Sequence, residues 1–415
     1  IAGVFKNWLI VTNKPDLGRR VADRILDGGD DTLAKSERFI EARKGIAGKP
    51  AAWAYANVEA LRDAGLAQEL YQEKSNNFGA ELFIAGILAA LQEAPSGTAA
   101  LYVEDQQLRL AASVPHDPGN VPEKREFFFG PEGKGSAPAP LQVKNQLLAV
   151  TAHRDVGEMW RRRSDLFDEN VNAELATADS NLSTVFAGLD FGREVLGALQ
   201  PQVQIIAAGQ DFADKDVRQP KIKLPAGAMV FQLKEPEKMQ RQLKVSFQSL
   251  IGLTNLGAGQ NELPQLELST EKTDAGQIIS ATYENLEEDA EISNDIIYNF
   301  SPALAFTGDF FIIASTRDLA VELMEQAEGG AKPPAAGERV VNTSAKIDSE
   351  AFSEILNENR DALVAQNMLE NGHTKAEAEK EIGALFTLLK FAGDASLQLA
   401  TEKDTLRLEL SLGLK

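Results

Sequence analysis

Cysteine is absent from this chain of 415 residues, and its absence excludes several kinds of chemistry. The chain can form no disulfide, no thiolate-ligated metal site and no cysteine nucleophile. Histidine is also scarce, with three residues in all. The lack of cysteine leaves the cellular compartment open, because exported proteins often either pair their cysteines or dispense with them.

Basic charge and long apolar runs are scarce as well. The chain has 42 Lys and Arg against 62 Asp and Glu, a formal net charge of −20. Such a field repels polyanions, so nucleic acid and anionic membrane surfaces are expected to be poor partners. The longest apolar run, "LFIAGILAAL" at residues 82–91, is far shorter than the roughly 20 residues of a bilayer span. We therefore predict no transmembrane helix.

Three stretches of the chain share one pattern: "WLIVTNKPDLGRRV" (8–21), "LLAVTAHRDVGEMW" (147–160) and "FFIIASTRDLAVEL" (310–323). Each has an apolar run, a small or hydroxyl residue, three variable positions, an aspartate, an aliphatic residue and then Gly or Ala. This order predicts a strand, a tight turn and the start of a helix. Asp16, Asp155 and Asp318 are then expected in the first helical turn, where free backbone N–H groups favour a carboxylate.

The segments that follow these stretches extend the repeat. For example, "LYVEDQQLRLAASV" (101–114) and "LQLATEKDTLRLELSL" (397–412) each predict a hairpin whose second strand carries Leu-Arg-Leu. The order strand, helix, strand, helix, hairpin is predicted three times, in units at 1–115, 141–300 and 301–415. A Pro- and Gly-rich linker is predicted at 116–140.

We predict an α+β fold of internally repeated strand-helix-strand-helix-hairpin units, which form antiparallel sheets covered by helices. The first predicted strand of the repeat is short, at "GVFKN". The chain is therefore expected to begin inside a repeat, with further residues upstream.

His153 is the histidine with the most suggestive neighbours, Arg154 and Asp155. A His–Asp pair could serve as a general base, but such a site needs a third partner that this stretch does not supply. The repeat places His153 where the other copies carry Lys14 and Thr316. We interpret it as a solvated or capping residue and keep it as a weak candidate for ligand binding.

Arg161, Arg162 and Arg163 form a positive spot on an acidic chain, and arginine clusters bind carboxylates and phosphates. The alternative is an exposed helical turn that pairs with the acidic "SDLFDEN" next to it, which we favour. Trp160 is expected in the core of its helix. The acidic stretch at 284–295 could bind calcium loosely, but it lacks the EF-hand pattern and is interpreted as a solvated loop. We predict no metal site and no cofactor.

Phe127, Phe128 and Phe129 lie together in a polar neighbourhood. They either dock on the protein's own core as a short strand, or they form an exposed apolar patch that marks a partner site. Docking is the commoner outcome. The three residues are nevertheless the most promising interaction feature in the sequence.

The stretch "FGREVLGALQPQVQIIAAG" (191–209), followed by "AMVFQLKEPEKMQRQL" and "FFIIASTRDLAVEL", resembles a large family of exported bacterial proteins whose function is unknown. The resemblance covers most of the chain from about residue 147 and, through the repeat, residues 5–114. It implies an exported protein of the periplasm or outer envelope, or a secreted one. It carries over no activity, cofactor or site residue.

Two classes of function remain open. The favoured hypothesis is a non-enzymatic cell-envelope protein that binds or scaffolds an unknown protein or envelope component. The alternative is a hydrolase or metal-dependent enzyme whose site is assembled from separate repeats, with His153, the arginine run and the acidic loop as contributors.

Overall fold

The computed structural model of the chain describes residues 2–5, 8–28, 32–66, 74–186, 188–212, 219–261, 263–283, 295–328 and 339–415. The strands of these residues are β1 (Ala2–Phe5), β2 (Trp8–Val11), β3 (Ala52–Ala56), β4 (Gly97–Glu104), β5 (Gln107–Pro115), β6 (Gln146–His153), β7 (Gln202–Ala208), β8 (Ala226–Gln232), β9 (Leu266–Thr273), β10 (Gly276–Tyr283), β11 (Ala303–Thr307), β12 (Phe310–Ala314), β13 (Arg339–Ile347), β14 (Ala392–Glu402) and β15 (Thr405–Leu414).

The α-helices of the same residues are α1 (Pro15–Asp27), α2 (Glu37–Lys44), α3 (Val58–Asp63), α4 (Phe78–Phe83), α5 (Ala85–Glu93), α6 (Glu126–Phe129), α7 (Val156–Arg161), α8 (Arg163–Leu166), α9 (Glu169–Val185), α10 (Pro236–Gln260), α11 (Arg317–Glu328), α12 (Ser349–Glu358), α13 (Arg360–Asn371) and α14 (Lys375–Phe391). Within the part of the chain that the structure describes, none of these helices is long and apolar enough to cross a membrane.

Thirteen strands form one antiparallel sheet in the order β3-β4-β5-β15-β14-β13-β6-β7-β8-β12-β11-β10-β9. The strands β1 and β2 form a separate hairpin. Helices pack over the sheet, so the predicted α+β class with antiparallel pairing is confirmed. Antiparallel pairing fits the chain because adjacent strands are joined by short turns such as Asp105–Gln106 and Lys403–Asp404.

The two faces of the sheet are covered unequally. Side chains alternate along each strand, and we call the face that carries Leu406, Leu408 and Leu410 the front face and the other the back face. On the front face, α10 packs against strands β11 and β12, and helices α5 to α8 pack near the start of β15. On the back face, α11 covers strands β8, β10, β11 and β12. On the remaining front-face surface of β4, β5, β15, β14 and β13, leucines such as Leu101, Leu110 and Leu410 are exposed, and no described helix lines it.

The predicted units interleave in this sheet. The strands β3-β4-β5 and β13-β14-β15 form two similar meanders that meet where β5 pairs with β15. The middle segment differs, because β11 and β12 lie between its strands β8 and β10. The derivation of all three units from one module stays a prediction.

The aspartates of the repeat take two different positions. Asp16 and Asp318 lie in the first turns of α1 and α11, as expected. Asp155 instead caps α7 from outside, where its carboxylate accepts a hydrogen bond from the backbone N–H of Glu158 at 2.8 Å. The difference arises because pairing with β7 extends β6 as far as His153.

Candidate functional site

Leucines from neighbouring strands form an uncovered apolar surface on the front face. Leu101, Leu110, Leu410 and Leu397 lie side by side in one row across β4, β5, β15 and β14. We call this surface, with the next row toward the end of β15, the apolar groove. Its members are Leu101, Val103, Leu108, Leu110, Ala345, Ile347, Ala395, Leu397, Leu410 and Leu412. Leu110 and Leu410 are 39% and 37% exposed, although both lie on interior strands of the sheet, β5 and β15.

The groove holds a cavity of about 450 Å³. A second cavity of about 300 Å³ lies on the next rungs of the same strands, where Ala99, Ala112 and Leu408 face Ile87 and Leu91 of α5. The cavity exists because the alanine side chains are small and α5 does not fill the space above them. From Leu406 to Leu412 the two cavities extend over roughly 20 Å at the rise of an antiparallel strand. An apolar chain segment or helix fits such a surface.

The back face of the same strands carries a network of charged side chains. Glu409 of β15 accepts hydrogen bonds from Arg339 at 2.9 Å and Arg407 at 3.0 Å, and Arg109 lies 3.6 Å away. Burial alone would raise the pKa of Glu409, but the three guanidinium groups outweigh it and hold that pKa below its usual range. A cavity of about 780 Å³ adjoins this network beneath α2. The arginine and glutamate side chains that line this cavity pair with one another, so their charges are neutralised within the protein.

Phe127, Phe128 and Phe129 dock on the protein's own core, which was the favoured of the two interpretations, so they do not form an exposed partner site. Their exposed fractions are 0%, 0% and 2%, and they form one turn of helix, α6, instead of a strand. They pack with Met159 and Leu406 in the core of the front face. Residues 127–129 of the predicted linker at 116–140 therefore belong to the folded core. Their burial is favourable because three adjacent phenylalanines remove a large apolar area from water.

The interpretation of His153 as a solvated or capping residue is wrong. The side chain is 5% exposed at the end of β6. A Cβ on Gly135 would lie 2.4 Å from its ring, so only glycine fits beside it. Burial, assisted by the neighbouring Arg154 charge, lowers the pKa of His153 to about 4, although Asp155 opposes the shift. His153 is therefore neutral at pH 7 and enclosed, which does not suit a ligand-binding or general-base role.

The buried imidazole of His153 should make the free energy of unfolding depend on pH. His153 takes up a proton at about pH 4 in the folded chain and near 6.5 in the unfolded chain. Between these values the unfolded state binds more protons, so the free energy of unfolding falls as the pH falls, by at most about 3 kcal/mol. Urea denaturation of His153→Gln at several pH values should lack this dependence, and His373→Gln should retain it. Parallel pH profiles for the chain and His153→Gln would contradict the assignment.

Arg154 is the residue that sequence reasoning missed. Its guanidinium is 1% exposed and lies 3.5 Å from the ring centre of Phe128. It donates to the backbone oxygen of Leu82 and, at 2.9 Å each, to Asn342 Oδ1 and Thr343 Oγ1. Burial lowers the pKa of Arg154 to about 9. No local pattern could have found the cluster, because its members come from α4, α6, β13 and the residue that follows β6.

The arginine run is a set of surface ion pairs. Arg161 pairs with Glu158, Arg162 with Glu158 and Glu123, and Arg163 lies 3.8 Å from Asp179. Arg161 is exposed as predicted, whereas Arg162 and Arg163 are half-buried, and none of these ion pairs uses the acidic stretch that follows the arginines. None of them involves His153, so the structure does not unite these candidates in one site.

Two further expectations concern the core and the metal chemistry. Trp160 is buried, as predicted, and donates to Asp179 Oδ1 at 3.2 Å. The acidic stretch lies outside the described residues, apart from Asp295. Across the part of the chain that is described, no group of three or more His, Asp or Glu side chains is placed to hold a metal ion.

No protein-family model, curated protein or solved structure matches this chain. The resemblance to exported bacterial proteins and the exported location that it implies therefore stay predictions.

Proposed function

We propose that this protein is a non-enzymatic binding or scaffold protein of the cell envelope, and that it docks a protein partner on the apolar groove. One observation carries the docking surface: leucines of four adjacent strands lie in a single row near one end of a 13-stranded sheet, and no described element of the chain packs on them. Exposed apolar patches of this extent on a folded protein mark interaction sites. The envelope location rests on the resemblance to exported proteins.

The side-chain chemistry supports binding over catalysis. The candidate base His153 is enclosed in the core, and the arginine run is occupied by ion pairs. The groove is lined almost wholly by aliphatic side chains, which supply binding energy but no proton transfer or nucleophile. A panel of ester, phosphate and peptide substrates, with and without divalent metals, should give no turnover above background. Turnover that saturates with substrate would refute the non-enzymatic proposal.

The docking surface can be tested in cells that produce the protein. A photocrosslinking amino acid placed at Leu410 should give a protein adduct on illumination, because the side chain faces the groove. The same amino acid at Leu369, an exposed leucine of α13, is the matched control and should give none. Mass spectrometry of the adduct identifies the partner. Equal adduct yields at the two positions, or none at Leu410, would refute the groove as a docking surface.

A further inference from the structure

The N-terminal arm, which we define as β1, β2 and α1, is an apolar element that stays largely exposed. Among the described strands, β1 and β2 pair only with each other, and α1 has no buried residue. Seven large apolar side chains of the arm are between 39% and 78% exposed: Val4, Trp8, Leu9, Val11, Leu17, Val21 and Leu26. Together they present on the order of 800 Å² of apolar surface, which is about one partner's share of a standard protein interface.

A counterpart elsewhere in the chain shows how such an element packs. The strands β11 and β12 pair antiparallel, as β1 and β2 do, and are also followed by a helix, α11. In α11, Leu319 and Leu323 are buried against apolar side chains of the sheet. Leu17 and Val21 follow Asp16 by one and five residues, and Leu319 and Leu323 follow Asp318 at the same two spacings. The stripe on α1 is therefore suited to an apolar sheet face.

The groove supplies such a face, but on the far side of the sheet from the arm's point of attachment. The helix α2, which follows the arm, packs on the back face, where Phe39 meets Trp53 and Ile46 meets Tyr102. The apolar groove is on the front face. If two chains exchanged arms, the arm of each chain would cover the groove of the other. In a dimer with two-fold symmetry, both arms and both grooves would then be buried.

Charge permits the same pairing. The chain as a whole carries −20, yet the segment from Lys14 to Asp27 has four basic residues against three acidic ones. A segment without net negative charge is not repelled by a second copy of this acidic chain.

We propose that the partner on the apolar groove is a second copy of this chain, whose N-terminal arm covers the groove in a symmetric arm exchange. The proposal rests on the proposed function of the groove as a docking surface and names its occupant. It makes the protein a self-assembling scaffold unit.

Cysteine crosslinking tests the proposal cleanly because the chain has no cysteine of its own. Purified full-length chains carrying Val21→Cys and Leu410→Cys, mixed and oxidised, should give a disulfide-linked dimer of one chain of each kind. The yield should be at least tenfold above that of Val21→Cys mixed with Leu369→Cys. A chain carrying both Val21→Cys and Leu410→Cys should crosslink between chains. A monomeric product with an internal disulfide, or yields equal to the control, would overturn the exchange.

Sedimentation velocity gives an independent measurement. Leu17→Lys in the arm and Leu410→Lys in the groove should each raise the dimer dissociation constant tenfold or more, and Leu369→Lys should leave it unchanged. A chain that is monomeric throughout, or a dimer that neither variant weakens, would overturn the proposal. A photocrosslinked adduct at Leu410 with a different protein would overturn this inference alone, whereas no adduct at Leu410 would refute the docking surface itself.

Discussion

Replacing Arg154 with alanine is expected to destabilise the fold by about 3 kcal/mol or more, measured by urea denaturation. The substitution removes a side chain that joins α4, β6 and β13 through hydrogen bonds to Leu82, Asn342 and Thr343. Those acceptors would be left buried without the guanidinium donors, and a cavity would open against the ring of Phe128. Losing the buried charge offsets part of this cost, since burial already lowers the pKa of Arg154 to about 9.

Two conservative variants separate these contributions. Arg154→Met fills the space without a charge and should lose less stability than the alanine variant. Arg154→Lys keeps the buried charge but lacks the planar fork that reaches several acceptors, so it should be at least as damaging as Arg154→Met. Arg161→Ala, which removes an exposed arginine from a surface ion pair, should cost less than about 1 kcal/mol. Equal losses for Arg154→Ala and Arg161→Ala would show that the buried cluster does not hold these segments together.

Local patterns were sufficient to predict much of the architecture. The stretches 101–114 and 397–412 were predicted as hairpins from alternating apolar residues around a polar break, and they form β4–β5 and β14–β15. Alternation is decided by neighbours two residues apart, so it can be seen in one sequence. The α+β class follows from such hairpins between helical segments.

The arrangement of the strands could not be predicted in the same way. The insertion of β11 and β12 between β8 and β10 depends on pairing between strands that are distant in the chain. The leucines of 406–412 were visible as a strand pattern, but whether a helix covers Leu406 or leaves Leu410 open depends on where α5 packs. The groove therefore emerges only in three dimensions.

The surroundings of two candidate site residues were predicted wrongly for the same reason: their neighbours in the fold are distant in the chain. His153 was assigned to a turn because the repeat aligned it with Lys14 and Thr316, whereas pairing with β7 keeps it in β6 and buries it. Phe128 was considered for a partner site because the neighbouring residues in the sequence are polar. Its actual neighbours, Gly86 and Arg154, lie about 40 and 26 residues away in the chain.

Phe128→Ala is expected to destabilise the fold by about 3–5 kcal/mol, because the fully buried ring would leave a cavity in the core. The ring lies 5.0 Å from that of Phe129 and also packs on the Arg154 guanidinium. Phe352→Ala is the matched control, since Phe352 is 40% exposed on α12, and it should cost much less. Equal losses for the two variants, measured by urea denaturation, would contradict the position of Phe128 in the core.

Gly86 provides a test of the same packing from the other side. A Cβ at Gly86 would lie 2.2 Å from the Phe128 ring, so Gly86→Ala alone should destabilise the fold by overpacking, by about 1–3 kcal/mol. In the Phe128→Ala background the added methyl group enters the cavity, and the double variant should be more stable than the sum of the single effects predicts. Additive losses would show that the two residues do not touch. A double variant that loses less stability than this sum would instead place α5 directly on α6. This is the packing that covers the front face beside the start of β15 and leaves the neighbouring groove open.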